Sequence, residues 1–322
     1  MRKRKSPVGR LPVTIAPPDR EQTAERLLRT SAKHSHDPLT EIDWEAPLAE
    51  GRPFAPPHRA SLYGTALWEE LDEERRTELT RHETASVASV GIWFECLLIR
   101  VLVRHIYDQD PTTKHVQYAL TEIGDETRHS VMFARMIDKF GCPAYGPDRV
   151  ARLLGRSVVL VLRQISGLAG TLFVEEILDA LQREAMADES LQPLVRQVSR
   201  IHVVEEARHI RYAKQELARQ WTAAGPLARA YHRLVLGGAV YLATTRLVHP
   251  GAYAAVGLDP RRARRVAARN PHYRRTLAWA AGKVVAELGG LGMIKGPGRL
   301  LWRRAGLLPA RPARPGGSAV AG

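Results

Sequence analysis

The segment Glu126-Thr-Arg-His129 returns as Glu206-Ala-Arg-His209, 80 residues later (206 − 126). In a helix each Glu-x-x-His sets a carboxylate and an imidazole on one face, at i and i+3. Glu95 precedes Glu126 by 31 residues, and Glu175 precedes Glu206 by the same 31. The midpoints of the two pairs fall in turn-forming stretches, residues 108–112 (DQDPT) and 188–192 (DESLQ). A helical hairpin folded at each turn brings both members of its Glu pair to one depth. Four Glu and two His then converge on one level of a four-helix bundle, which limits the chain to an all-α fold.

A lone Glu on a helix is ordinarily a solvated charge, and one Glu-x-x-His arises readily by chance. Two such pairs in register, each with a Glu upstream in an apolar stretch, are different. Burying four carboxylates without counter-charge costs several kcal/mol each. Two divalent cations offset four negative charges. One Glu from each of two helices, with Glu-x-x-His from each of the other two, is the ligand pattern of ferritin-like di-iron and di-manganese proteins. On the third helix Glu175 and Glu176 compete. Glu175 shares its face with Leu168, Leu172 and Leu178 and alone has the 31-residue spacing, so it is preferred.

His202 lies one turn before Glu206, on the face that carries His209. An interior histidine is commonly hydrogen-bonded in a core, but a ring one turn from a metal is also a candidate ligand. The 80-residue offset puts Glu122, not a second histidine, at the equivalent place (202 − 80). Asp125, Arg128, Glu205 and Arg208 flank the Glu-x-x-His residues. They read either as an outer lattice orienting the imidazoles or as ordinary surface ion pairs. Cys96 reads as a small packed apolar residue.

Helices are expected over about 83–107, from Thr112 or Thr113 to about 140, and over 150–187, 193–221, 226–248 and 271–288. A short Arg-rich helix is expected over 260–268. No alternation typical of strands is sustained. Residues 1–58 read as an extended or wrapping arm, 59–308 as a ferritin-like domain, and 309–322 as a disordered tail. The composition, 44% hydrophobic, is that of a globular protein. The formal charge of +14 comes mostly from Arg, without a nucleic-acid-binding motif, so no nucleic-acid partner is expected. Two cysteines argue against a disulfide scaffold. The start lacks an apolar signal region, and the longest apolar run, 12 residues from Leu234 to Thr245, is too short for a bilayer. No membrane association and a cytoplasmic location are expected.

With Glu95, Glu126-Thr-Arg-His129, Glu175 and the run His202-Val-Val-Glu-Glu206-Ala-Arg-His209 in hand, the chain resembles the di-iron arylamine N-oxygenases typified by p-aminobenzoate N-oxygenase. The likeness covers about residues 60–305, including the late stretch GMIKGPGRLLWRRAGLLP. It implies a ribonucleotide-reductase-like bundle with added C-terminal helices. It implies a site of Glu95, Glu126, His129, Glu175, His202, Glu206 and His209 that binds two Fe ions, with Mn as the alternative. The third histidine sets this family apart from other ferritin-like oxygenases. The implied reaction uses O2 to carry a small aromatic amine through hydroxylamine toward nitroso or nitro, in antibiotic biosynthesis. A homodimer is implied too. No nucleotide or flavin motif occurs, so electrons come from an external ferredoxin- or reductase-type donor. A di-iron hydroxylase or desaturase acting on carbon, and a ferritin-like storage protein, are the alternatives.

Overall fold

The structure, a computed structural model, describes residues 19–146 and 162–309. Those residues form helices and no strand. In chain order they are α1 (Arg20–Lys33), α2 (Pro38–Glu41), α3 (Ala66–Glu69), α4 (Glu73–Ile106), α5 (Lys114–Lys139), α6 (Gln164–Ala187), α7 (Pro193–Ala223), α8 (Pro226–Thr245), α9 (Pro250–Ala255), α10 (Pro260–Arg269), α11 (Pro271–Ala280), α12 (Gly282–Gly290) and α13 (Gly298–Arg304).

The four long helices close into a ring: α4 packs on α5, α5 on α7, α7 on α6, and α6 back on α4. This is the ferritin-like bundle expected from the sequence. The ends follow local chemistry. The Asp72 carboxylate accepts from Arg75 N at 2.8 Å, and Glu73 and Glu74 lie in the first turn, where the helix dipole favours negative charge. Helix α4 therefore starts ten residues before the expected position (83 − 73). Its first turns, EERRTELTR, are too polar for a pattern based on apolar spacing to find. Thr113 caps α5, and Gly141, at φ +64°, ends it. The expected start of the third helix, 150–161, lies outside the described residues. The single helix expected over 271–288 is two, α11 and α12, which meet at Ala281.

The stretch read as an extended arm contains a 14-residue helix, α1. Ala24 and Leu27 bury its inner face with Leu98, Leu102 and Tyr118 of the bundle. Glu21 adds a cap to α5 from outside, accepting from Lys114 N at 2.7 Å and His115 N at 3.3 Å. Further along, the Gln192 amide clips the arm to the α6–α7 turn through Ala49 N, Ala49 O and Arg52 O. Residues 1–18 of the arm and 310–322 of the tail lie outside the described residues.

Behind the bundle, α8 packs against α6 and α13 against α8. The α8–α13 crossing is close because Gly237 and Gly298 face backbone, where a Cβ on either would clash. Trp302 of α13 is fully buried and meets Phe173 of α6 edge-on at 5.4 Å. By length and composition α4 could cross a membrane, contrary to the expectation from the longest unbroken apolar run. Here α4 lies along the bundle with Glu83 and Glu95 buried on it.

Glu83 gives the fold a pH dependence. Its carboxylate accepts from Ser61 N at 3.0 Å and sits close to the Ser61 hydroxyl, which is 2.9 Å from Tyr253 Oη. Burial pushes it up to about 7, against these hydrogen bonds. A carboxyl raised in the folded state stabilises fully below its unfolded value, and that contribution is lost as pH rises through about 7. The loss is on the order of 3 kcal/mol. Urea unfolding at pH 5 and pH 8 should therefore differ less in Glu83→Gln than in the parent.

Candidate metal centre

Each bundle helix brings its part of the site to one depth. Glu95 comes from α4, Glu126 and His129 from α5, Glu175 from α6, and His202, Glu206 and His209 from α7. None of the seven is more than 3% exposed. Their ligand atoms fall into overlapping groups, each within 4.8 Å: Glu126, His129, Glu206 and His209; Glu95, His129 and His202; and Glu175, His202 and Glu206. All seven sequence-derived residues are thus brought together.

The imidazoles face inward in two ways. His129 Nδ1 lies 3.1 Å from Glu126 Oε2 and 4.0 Å from Glu206 Oε2. His209 Nδ1 lies 3.1 Å from Glu206 Oε2 and 2.9 Å from Glu126 Oε1. Their outer nitrogens are held by crossed partners. His129 Nε2 donates to Glu205 Oε2 of α7 at 2.9 Å, and His209 Nε2 donates to Asp125 Oδ2 of α5 at 3.0 Å. His202 is reversed. Its Nδ1 donates to Gln182 Oε1 of α6 at 2.7 Å, which leaves Nε2 facing Glu95 at 3.4 Å and Glu206 at 3.9 Å.

The flanking charges form a lattice. Arg208 bridges Asp125 and Glu205 at 3.5 and 3.4 Å, and Arg128 pairs with Asp125. Asp125, Glu205 and Arg208 are no more than 5% exposed, so these three are not surface ion pairs. The arm closes over this layer: His36 N donates to Glu205 Oε1 at 2.9 Å, Arg208 to His34 O at 3.2 Å, and Arg128 to Ser35 Oγ at 3.1 Å.

The inner groups fit hard divalent cations. Four carboxylate oxygens have no hydrogen-bond partner: Glu95 Oε2, both of Glu175, and Glu206 Oε1. A buried acceptor left unpaired costs about 1–3 kcal/mol, more when charged. Burial, then the neighbouring carboxylates, drives Glu95 and Glu175 well above the ordinary carboxylate range. Burial also opposes charge on Glu126, but His209 and His129 hold it well below that range. His202 is held well below its ordinary value by burial and by His129, which leaves a neutral ring. Orphan carboxylate oxygens and imidazole nitrogens, with no thiolate, are a donor set for iron or manganese.

Glu175 and Glu176 separate cleanly. Glu175 points into the group, while Glu176 turns outward to Lys214 and to Lys283 Nζ at 3.0 Å. Glu176 is buried all the same, under α12. Cys96, read as packed, is exposed on the outer side of α4. It adjoins Glu95 in sequence and so falls on a different helical face.

Two residues near the site were given no role from the sequence. Gln182 is an unremarkable helical glutamine until α6 and α7 are paired. Glu122 was visible only as the partner of His202 in the repeat. It is buried, its Oε2 is unpartnered, and it lines a small cavity with Glu175, Glu206 and His209. A separate group of His105, His115 and Glu216 lies at one end of the bundle, where the Arg20 guanidinium already occupies the cation position.

A profile for p-aminobenzoate N-oxygenase AurF matches residues 17–292. The chain belongs to the AurF family. That family is an oxygenase family built on a di-iron centre, and the buried Glu/His groups just described can bind such metals. Similar curated proteins include uncharacterized proteins of Mycobacterium bovis and Mycobacterium tuberculosis. They are 31% identical over 201 residues, which is 60% of this chain and 59% of theirs. The chain thus spans about three-fifths of the length of the relatives it matches. The AurF match begins within the arm and includes α1, so the arm is part of the family's common sequence.

Proposed function

We propose that this AurF-family protein is a non-haem di-iron oxygenase that oxidises the nitrogen of a small aromatic amine. Glu95, Glu126, His129, Glu175, His202, Glu206 and His209 hold the two Fe ions; Mn is the alternative occupant. A bound iron pair supplies the electrons that reduce O2 and the Lewis acidity that directs the oxygen. The electrons are replenished by an external ferredoxin- or reductase-type donor. The working unit is a homodimer in the cytoplasm, acting in secondary metabolism such as antibiotic biosynthesis.

The observation that carries this reading is the reversed His202. It adds a third imidazole, itself held neutral, to four buried carboxylates, and Gln182 fixes its tautomer so that Nε2 faces inward. Asp125 and Glu205 hold the protons on His209 Nε2 and His129 Nε2, and so fix the inward faces of those rings. The apolar walls of the bundle exclude water around these groups.

Storage is the weaker reading, because a ring-sized cavity is lined by Phe133 and Gln182, which both contact His202. The test is turnover of an arylamine under 18O2 by the iron-loaded protein with a reductant. Mass spectrometry is expected to find the label on nitrogen, as hydroxylamine, nitroso or nitro product. Label on carbon, or unchanged amine with oxidised iron, would refute the proposal.

A further inference from the structure

A cavity of about 130 Å³ lies between α4, α5, α6 and α7, with α11 and the arm closing it. An apolar cavity of roughly 150 Å³ takes up benzene, so this one suits a single ring. One end lies against two residues that contact His202, although no candidate ligand itself lines the cavity. Gln182, which holds His202, lines it, as does Phe133, whose ring lies 4.9 Å from that of His202. Gly91, one turn before Glu95, leaves the wall bare beside Phe133 and Leu178.

Two turns further back on α4, about 12 Å along the axis from Gly91, stands Glu83. The Ser61 backbone and hydroxyl occupy part of its carboxylate. Two of the lining hydroxyls are committed elsewhere: Thr80 donates to Thr77 O and Thr84 to Phe54 O. Arg59 is the only cation among the described lining residues. It is committed to Glu184 at 2.7 Å and stacked 3.9 Å over Trp279. The far end of the cavity therefore offers a carboxylate acceptor and no available positive charge.

We propose that this cavity is the substrate site, and that Glu83 makes it select single-ring aromatic amines whose end distal to the amine is uncharged or donates a hydrogen bond. Only the word amine rests on the N-oxygenase reading; the selection against a distal carboxylate follows from the cavity itself. A ligand carboxylate entering here would lose its hydration, meet no uncommitted cation and face Glu83. One of the two acids would have to take up a proton.

The experiment compares 4-aminobenzamide with its isostere 4-aminobenzoate, by anaerobic titration calorimetry of the iron-loaded protein at pH 8. The amide is expected to bind at least about tenfold more tightly. Glu83→Gln keeps one acceptor oxygen for Ser61 and is expected to shrink that preference to about threefold or less. Gly91→Leu, which fills the cavity from its wall, is expected to weaken amide binding at least about tenfold. Equal or tighter binding of the acid by the parent protein would overturn the proposal. So would binding of neither compound, or amide binding unaffected by Gly91→Leu. Amide that binds as expected but is not oxidised in the presence of reductant and O2 would refute the N-oxygenase reading while leaving this selection intact.

Discussion

Glu206→Ala is expected to abolish oxygenase turnover and to bring bound iron from about two ions per chain to fewer than one, with helix content unchanged. Glu206 belongs to two of the three ligand groups, one with His129 and His209 and one with Glu175 and His202. Its Oε2 lies within 4.0 Å of all three imidazoles. No other carboxylate of the site reaches so many. Removing it leaves three carboxylates to offset two divalent ions. The loss of affinity should exceed the roughly 100-fold seen when only an outer partner is removed. Colorimetric iron analysis of desalted protein, with circular dichroism as the folding control, reads both halves. The matched control is Glu176→Ala, a neighbouring buried carboxylate that pairs with Lys214 and Lys283. That variant is expected to keep its iron.

The second large effect is expected from the crossed outer layer. Asp125→Ala removes the acceptor from His209 Nε2 and one anchor of Arg208. Glu205→Ala removes the acceptor from His129 Nε2 together with the contact to His36 N in the arm. Each should lower iron affinity about 10- to 100-fold, because the ring is then free to turn or to change tautomer. The two single losses should not simply add in the double variant, since Arg208 joins both carboxylates. Competition with a chelator of known affinity measures each step. Additive losses would place the two partners in independent sites.

Much of this was legible in the sequence because the bundle is a duplication read in register. The 31-residue spacing needs only straight helices and short turns, and both hairpins supply them. The choice of Glu175 over Glu176 followed from the apolar face, and the lysines on Glu176 give the physical reason. Gln182 and the arm's contacts were not legible. Gln182 lies 20 residues from His202 (202 − 182), at a distance fixed by how α6 packs on α7 rather than by any period. Helix α1 was missed because its amphipathic face is short and set among Arg and Glu, so its helical state depends on burial against Leu98 and Tyr118. The outward side of α4 was misjudged at Cys96. An apolar sequence such as GIWFECLLI carries no mark of which flank meets a neighbour and which meets solvent.

Anaerobic titration of the purified chain with Fe(II), followed by desalting and elemental analysis, tests the central claim most directly. Uptake of about two tightly held ions per chain is the predicted result, with the same plateau reached by Glu176→Ala. A folded chain that retains one ion or none would contradict it.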